Sequence, residues 1–200
     1  MKGILLFIVF FLMVAAYLLG SVSSAILVCR CFRLPDPRTQ GSHNPGATNV
    51  LRIGGKLPAA VTLVGDMAKG LIPMLICHLL DVAPLVFACV GLAAFLGHLY
   101  PVFFKFQGGK GVATAMGMDL GLHWLIGLSV IGLWLLVAKV MRVSSLAALI
   151  SMTLAPLIVA WVWPAPEIIG LHLVVTLWLL VRHRSNIQKL IRGEEDKIRR

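Results

Sequence analysis

A run of glycines around one lysine combines residue types that are suited to bind an anion. The run GGKG at residues 108–111 lies in the string GHLYPVFFKFQGGKGVAT, residues 97–114, just before a helix-like segment. Glycines let phosphate oxygens approach backbone amides, a helix N-terminus favours an anion, and Lys110 adds a full positive charge. The run is not a nucleotide-binding Walker loop, because Phe104 stands where that motif has its first glycine. A flexible surface loop is the alternative.

A second polar string, GSHNPGATNVLR at residues 41–52, combines short side-chain donors with an arginine. Pro45 blocks a continuous helix here, and the glycines permit unusual backbone angles. The hydroxyl and amide side chains, together with the planar fork of Arg52, suit an oxyanion held by side chains and backbone N–H groups. The alternative is a turn followed by a helix N-cap at Thr48 or Asn49.

Two further groups of charged residues interrupt apolar segments. Asp66 and Lys69 share one helix face inside a membrane-like segment, where charges are costly and are either functional or paired. A mutual ion pair that fixes the helix is the alternative interpretation there. The last apolar segment ends in RHRSNI, residues 182–187, where His183 titrates near neutral pH and is suited to donate to a phosphate or move a proton. An interfacial anchor is the alternative for that string.

The composition of the chain indicates the class of protein whose structural elements must position these groups. The 200 residues are 59% hydrophobic and only 13% charged, with a mean hydropathy of +0.93, whereas soluble domains have about 45–50% apolar and about 25% charged residues. A soluble domain and a disordered chain are therefore excluded, and a polytopic membrane protein remains. The net charge of +10 does not indicate nucleic acid, because the basic residues lie between long apolar runs. The four cysteines have no metal-ligand spacing.

We predict an all-α polytopic membrane helix bundle, a single domain over residues 1–200, with about seven transmembrane helices. A spanning helix needs about 20 mostly apolar residues, and the fourth segment is short. The predicted spans are residues 4–28, 57–80, 83–104, 111–120, 122–138, 143–162 and 168–181.

Charge placement is the reason for counting the short fourth segment as a crossing. With it, the basic loops and tail fall on one side, and Asp81, Asp119 and Glu167 fall on the other. The positive-inside rule then places the N-terminus outside and the C-terminus in the cytoplasm. Without this crossing, Lys139 and Arg142 move to the outside. The alternative is a re-entrant segment, which is tolerated only where protein covers it.

With this topology every dense polar stretch lies on the cytoplasmic face. No carboxylate pair is available there before the tail, which argues against a two-carboxylate hydrolase and against a divalent-metal site of several aspartates. The pattern predicts a strongly positive pocket for a phosphate-rich, lipid-linked substrate. The cations expected to form it are Arg52, Lys69, Lys105, Lys110, Arg142 and Arg182.

Taken together, the motifs resemble those of the bacterial acyl-phosphate:glycerol-3-phosphate acyltransferases, a family of integral membrane enzymes, over almost the whole chain. The resemblance rests on the strings at 41–52, 97–114 and 182–187, on Asp-x-x-Lys-Gly at 66–70, and more weakly on residues 142–145. The departures are small. His43 stands where a glycine is usual and is expected to shift the preferred angles of its loop, and Gln188-Lys189 replaces a more Arg-like pattern.

The resemblance implies transfer of a fatty acyl chain from acyl phosphate to the 1-hydroxyl of glycerol 3-phosphate, giving lysophosphatidic acid and phosphate for phospholipid biosynthesis. It implies no cofactor and no metal, membrane lipid as surroundings, no nucleic acid, and the enzyme that makes acyl phosphate as a partner. The expected location is the bacterial inner membrane, with the active site facing the cytoplasm. The soluble-type acyltransferases carry a His-x-x-x-x-Asp pair, and none of the six histidines here has an Asp five residues later.

The site residues that the resemblance implies match its motifs one by one. Those expected to be catalytic are Ser42, Arg52, Lys110 and His183. Those expected to bind substrate or phosphate are Asn44, Gly46, Thr48, Asn49, Lys69, His98, Lys105, Gly108, Gly109, Gly111, Thr114, Arg142, Ser144 and Asn186.

The residues leave the general base and the function class open. An acylated Ser42, His183 as base, and proton transfer to the leaving phosphate are all compatible with them, and we favour direct attack with substrate assistance. A small anion or lipid-phosphate transporter is the main alternative function. It explains Asp66 and Lys69, but not the clustering of polar motifs on one face, and no inverted repeat is visible. A non-catalytic membrane scaffold has no need for the two long motif strings.

Overall fold

The computed structural model describes residues 2–198, with side chains from Leu6 onward, and within that range it contains helices, turns and loops but no strand. The helices of this part of the chain are Lys2–Gly20 (α1), Ser24–Cys31 (α2), Ala47–Gly54 (α3), Lys56–Leu79 (α4), Pro84–Leu99 (α5), Val112–Leu122 (α6), Trp124–Met141 (α7), Ser144–Val162 (α8), Pro166–Arg182 (α9) and Arg184–Ile191 (α10), with a 3-10 turn at Val102–Phe104.

Most of the predicted spans correspond to helices of membrane-spanning length. The segments that qualify by length and composition have mean hydropathies of 1.6 to 2.4. α9 and α10 reach the same criterion only together, across a bend of 62°. The prediction of an all-α bundle with several apolar helices is therefore confirmed. The qualifying segments are Leu6–Cys31, Lys56–Leu79, Pro84–Phe104, Trp124–Met141 and Ser144–Val162.

The first predicted span, residues 4–28, is interrupted rather than continuous. Helical structure stops after Gly20, where α1 approaches α5 so closely that a Cβ on Gly20 would lie 2.2 Å from the carbonyl oxygen of Ala94. The carbonyl of Val22, in the break, accepts a hydrogen bond of 3.0 Å from the buried amine of Lys69. The break is thus stabilised by a donor from α4, which local sequence patterns do not reveal.

The predicted short fourth segment is the 11-residue helix α6, which lies against α4. Its length of about 16 Å is roughly half of a hydrocarbon core. Glycines bring the two backbones together, because a Cβ on Gly117 would lie 2.0 Å from the carbonyl oxygen of Met67. The two helices run in the same direction and end together, where His78 Nε2 lies 3.0 Å from the carbonyl oxygen of Leu122.

The helix ends form two groups at opposite ends of the bundle. At one end the C-terminal turn of α4, the start of α5 and the residue after α8 meet in an aromatic cluster, with ring centroids 4.7 Å apart for His78 and Phe87 and 5.5 Å apart for Phe87 and Trp163. At the other end the beginnings of α3, α4, α6 and α8 and the end of α9 surround a cavity. Buried side chains such as Phe95 and Met152 fill the space between the two ends.

Candidate active site

The cavity at this second end, called the central cavity below, has a volume of about 350 Å³ and is lined by both polar and apolar side chains. Its polar lining, called the polar half below, includes Arg52, Lys110 and His183, and its apolar lining, called the apolar half, includes Leu63, Ile131 and other side chains of α4, α6 and α7. The four motif strings, distant in sequence, therefore meet at one place. The predicted site residues that line it are Ser42, Asn44, Gly46, Thr48, Asn49, Arg52, His98, Lys110, Gly111, Ser144, His183 and Asn186.

The remaining predicted site residues lie outside the lining of the central cavity. Lys69 and Thr114 are buried behind it, with 3% and 0% exposure. Lys105 and Arg142 are exposed at turns where both adopt left-handed backbone angles. Gly108 and Gly109 belong to the wall beside the cavity, and their carbonyl oxygens accept hydrogen bonds of 2.9 and 3.0 Å from Arg182.

The string at 41–52 folds as a tight loop followed by α3. The helix begins after Gly46 without a side-chain cap, so neither Thr48 nor Asn49 is the N-cap that sequence offered as an alternative. The Asn49 amide instead closes the loop: its Oδ1 accepts from the Ser42 backbone N–H at 2.9 Å, and its Nδ2 donates to the carbonyl oxygen of Pro37 at 2.8 Å. Asn49 therefore shapes the loop in addition to lining the cavity.

His43 keeps a backbone conformation that suits glycine better. Its φ of +57° is in the left-handed region, and the neighbouring Gly41 has a φ of +60°. The imidazole is exposed and its Nδ1 lies 3.1 Å from the carbonyl oxygen of Arg38. His43 therefore adopts left-handed angles that a glycine takes at lower cost, and the expected shift of the loop angles stays a prediction.

The glycine loop at residues 108–111, called the GGKG loop below, leads directly into α6. Gly111 has a φ of +89°, and a Cβ at this position would lie 2.3 Å from the Phe95 ring. The Lys110 amine reaches across the cavity and donates to Asn186 Oδ1. Burial, partly opposed by the Glu195 carboxylate, lowers the pKa of Lys110 to about 8. The loop thus presents a cation and the first turn of a helix to the same space.

His183 follows α9 and is neutral in this environment. Its Nδ1 lies 2.9 Å from the carbonyl oxygen of Leu179, and since a carbonyl only accepts, Nδ1 carries the proton and Nε2 is free to accept. Burial, with the Lys110 charge nearby, lowers the pKa of His183 to about 4. The side chain is 3% exposed and lines the central cavity.

The cavity also contains carboxylates that were not predicted as part of it. The segment after α10 returns to the cavity, where Glu195 Oε1 accepts from Ser145 Oγ at 2.7 Å and from Asn186 Nδ2 at 2.6 Å. Asp196 Oδ2 lies 3.3 Å from Arg52 NH1. Only two of the six cations expected in the pocket line it, Arg52 and Lys110, so it is less positive than predicted. The only sequence signal for the return of this segment to the cavity is an acidic run that follows a basic helix.

No group of three or more His, Cys, Asp or Glu side chains suited to a metal ion occurs among residues 2–198. The polar half offers an ammonium, a guanidinium, hydroxyls and amides, which are groups that bind phosphate and carbonyl oxygens. The apolar half offers a surface for a hydrocarbon chain. Such an arrangement can hold an amphiphilic anion with its charged group at one end.

Comparisons with known proteins agree on one family. The family model for glycerol-3-phosphate acyltransferase matches residues 10–193. Glycerol-3-phosphate acyltransferases of Methylococcus capsulatus and Thioalkalivibrio sulfidiphilus are 54% and 52% identical over 184 and 187 residues, which cover 92% and 94% of this chain and 92% of each relative.

Solved structures give the same result. The crystal structure of PlsY, an integral membrane glycerol 3-phosphate acyltransferase, in its glycerol 3-phosphate form superposes with a TM-score of 0.90 at 36% identity. A form with lysophosphatidic acid gives a TM-score of 0.86 at 34% identity, and 94% of each chain is covered in both cases. The chain therefore belongs to the glycerol-3-phosphate acyltransferase family and is a multi-pass membrane protein with that family's fold.

Proposed function

We propose that this protein transfers a fatty acyl group from acyl phosphate to the 1-hydroxyl of glycerol 3-phosphate, giving lysophosphatidic acid and inorganic phosphate in phospholipid biosynthesis. The observation that carries the proposal is the two-sided central cavity, with Arg52 and Lys110 in one half and α4, α6 and α7 apolar side chains in the other. An acyl phosphate joins a phosphate to a hydrocarbon chain and uses both halves. The names of the relatives support glycerol 3-phosphate as the acceptor.

Acyl phosphate as donor agrees with the catalytic groups that the cavity offers. An acyl phosphate is a mixed anhydride and is already activated, so the protein needs chiefly to position the reactants and stabilise developing charge. The sequence has no His-x-x-x-x-Asp pair. Among the described residues, Ser42 Oγ makes no hydrogen bond to a histidine or a carboxylate that would activate it as a nucleophile.

Direct attack follows from these features. The glycerol 3-phosphate hydroxyl attacks the acyl carbonyl carbon, the bond from that carbon to the phosphate oxygen breaks, and the hydroxyl proton passes to the departing phosphate. His183, with its pKa lowered to about 4, is a weak base. The departing inorganic phosphate, whose second pKa lies near neutrality, is better matched to accept a proton at neutral pH. We therefore assign the base to the leaving group and a hydrogen-bonding role to His183.

The polar residues divide into two phosphate-binding groups. Lys110 and the amides at the start of α6 would hold one phosphate, as at other helix N-termini. Arg52, with Ser42 and Ser144, would contact the other substrate and the carbonyl oxygen, and all of these line the same cavity. Asn186 receives the Lys110 amine and orients it.

The order of helix ends supports seven crossings, with the N-terminus outside and the C-terminus in the cytoplasm. α6 begins at the central cavity and ends beside the far end of α4, and α7 returns from there, so counting α6 as a crossing keeps the helices alternating. The cavity would then face the cytoplasm, in the bacterial inner membrane, within a single domain over residues 1–200. The enzyme that makes acyl phosphate would act as a partner, because its product is reactive and carries a long hydrocarbon chain.

An assay of purified protein in lipid mesophase or detergent tests the proposal. Glycerol 3-phosphate is supplied with long-chain acyl phosphate, or separately with acyl-CoA, and release of phosphate and formation of lysophosphatidic acid are followed. We expect turnover with acyl phosphate alone. Turnover only with acyl-CoA would overturn the donor, and no turnover with either donor in folded protein would overturn the activity.

A further inference from the structure

A buried polar cluster lies behind the central cavity, at the contact of three helices. It consists of Asp66 and Lys69 on α4, His98 on α5 and Thr114 on α6, and none of the four is more than 6% exposed. Burying charged and polar side chains within a membrane bundle is costly unless each has a partner. Two of the four do not line the cavity, so contact with substrate does not explain the cluster as a whole.

His98 is the member of the cluster that touches the GGKG loop. Its backbone carbonyl oxygen accepts a hydrogen bond of 3.2 Å from the Gly109 N–H. Its ring packs on Gly109 so closely that a Cβ there would lie 2.2 Å from His98 Nε2. The adjacent Gly108 rests on the same turn, where a Cβ would lie 2.1 Å from the His98 carbonyl oxygen. The loop therefore rests directly on His98, while Arg182 holds the carbonyl oxygens of Gly108 and Gly109.

The other members of the cluster fix the His98 ring. Thr114 Oγ1 lies 3.1 Å from His98 Nδ1, and Asp66 Oδ1 lies 3.7 Å from the same nitrogen. Lys69 Nζ is 2.8 Å from Asp66 Oδ1, an ion pair by distance that lacks the angles of a hydrogen bond. The same amine donates to the Val22 carbonyl oxygen. Rotation of the His98 ring would leave buried polar groups without a partner. The free-energy cost of an unpaired polar group is much larger in this buried environment than in water.

We propose that Asp66, Lys69, His98 and Thr114 are positioning residues that set the place of the GGKG loop. His98 acts on the loop directly, and the other three act through His98. Lys110 follows Gly109 by one residue, so a tilt of the ring moves the loop amides and the Lys110 amine together. The proposal rests on the proposed function in one respect, namely that this loop holds a substrate phosphate.

The proposal predicts a kinetic signature that a purely structural cluster lacks. A displacement of about 1 Å in a group that positions substrate is enough to lower a reaction rate about 100-fold. A shifted loop weakens binding of the phosphate that it holds, so KM should rise for the one substrate bound there. The KM of the other substrate should change little, because Arg52 lies on α3 and pairs with Asp196, which is not a member of the cluster.

A pair of substitutions at Thr114 tests the proposal. Thr114→Val keeps the shape but removes the hydroxyl, and Thr114→Ser keeps the hydroxyl. We expect Thr114→Val to raise KM for one of the two substrates about tenfold, and Thr114→Ser to stay within about twofold of the unmodified protein. Thr62→Val is the matched control, because Thr62 is also fully buried and its side-chain hydrogen bond goes to the Pro58 carbonyl oxygen on its own helix, α4.

Loss of folded protein in Thr114→Val with both KM values unchanged would overturn the proposal, as would an equal loss in Thr62→Val and Thr114→Val. A binding measurement separates this proposal from the proposed activity. Inorganic phosphate should raise the melting temperature of the unmodified protein and of Thr114→Ser more than that of Thr114→Val. Such a difference without turnover in the unmodified protein would reject the activity and retain the positioning role, and equal shifts would reject the positioning role.

Discussion

At the scale of single residues, Lys110 is the group whose removal should affect the reaction most. It joins the GGKG loop to Asn186 across the central cavity. We expect Lys110→Ala to lower kcat by a factor on the order of 100 or more, as for the loss of other donors that stabilise developing negative charge. Lys139→Ala is the control, because Lys139 is an exposed lysine at the end of α7. Phosphate release by both variants at saturating substrate is the measurement, and near-normal turnover of Lys110→Ala would contradict the assignment.

The pH dependence of kcat/KM should report the same lysine. Burial lowers the pKa of Lys110 to about 8, and the charged form exists below that value. If the charge is required, kcat/KM falls as the pH rises through about 8. Lys110→Arg should remove this decline, because an arginine keeps its charge. Glu195→Gln should move the decline to lower pH, since Glu195 raises the pKa of Lys110. An unchanged alkaline limb in Lys110→Arg would assign it to another group.

At the scale of elements, the close contact of α4 and α6 depends on glycines without space for a side chain. A Cβ on Gly117 would lie 2.0 Å from the carbonyl oxygen of Met67, so Gly117→Ala must push the helices apart. We expect a loss of about 1–3 kcal/mol in stability, as for other overpacked sites. Gly170→Ala on α9 has open space and should be neutral or slightly stabilising. Melting temperatures of both variants in one detergent check the contrast, and equal shifts would contradict it.

The segment after α10 is an element that places carboxylates beside the groups that we propose bind substrate anions. Asp196 Oδ2 lies 3.3 Å from Arg52 NH1 and is largely exposed, so the pair contributes at most about 1 kcal/mol. We expect Asp196→Asn to lower KM for one phosphate-bearing substrate by about two- to fivefold. Glu194→Gln, at an exposed neighbouring position, is the control. An unchanged or raised KM in Asp196→Asn would show that this carboxylate does not compete.

Sequence patterns predict the apolar helices and most of the polar lining of the cavity, because both depend on local signals. Hydropathy fixes the long helices, and the motif strings carry Arg52, Lys110 and His183 to one cavity. Sequence patterns do not predict contacts between residues that are distant in the chain. The break after α1 depends on a carbonyl bonded to Lys69, and the role of Glu195 depends on a chain reversal after α10. Neither has a periodic or compositional signature.

At the scale of the whole molecule, helix order and charge distribution both favour seven crossings. The beginnings of α4, α6 and α8 surround the central cavity, whereas His78, Phe87 and Trp163 meet at the opposite end. Most basic residues of the connections lie at the cavity end, as the positive-inside rule requires for a cytoplasmic face. One experiment, labelling from one side of the membrane, therefore tests both the orientation of the molecule and its number of crossings.

Single cysteines in a background without Cys29, Cys31, Cys77 and Cys89 provide that labelling. A membrane-impermeant maleimide added to intact cells should react with a cysteine at position 81 or 167 and should reach position 139 only after lysis. Position 139 is decisive, because it lies in the last turn of α7 and changes sides if α6 enters and leaves on the same face. Labelling of both 81 and 139 in intact cells would establish a re-entrant α6 and reject seven crossings. Labelling of 139 without 81 would instead show that the protein has the opposite orientation, which would contradict the orientation predicted from the positive-inside rule.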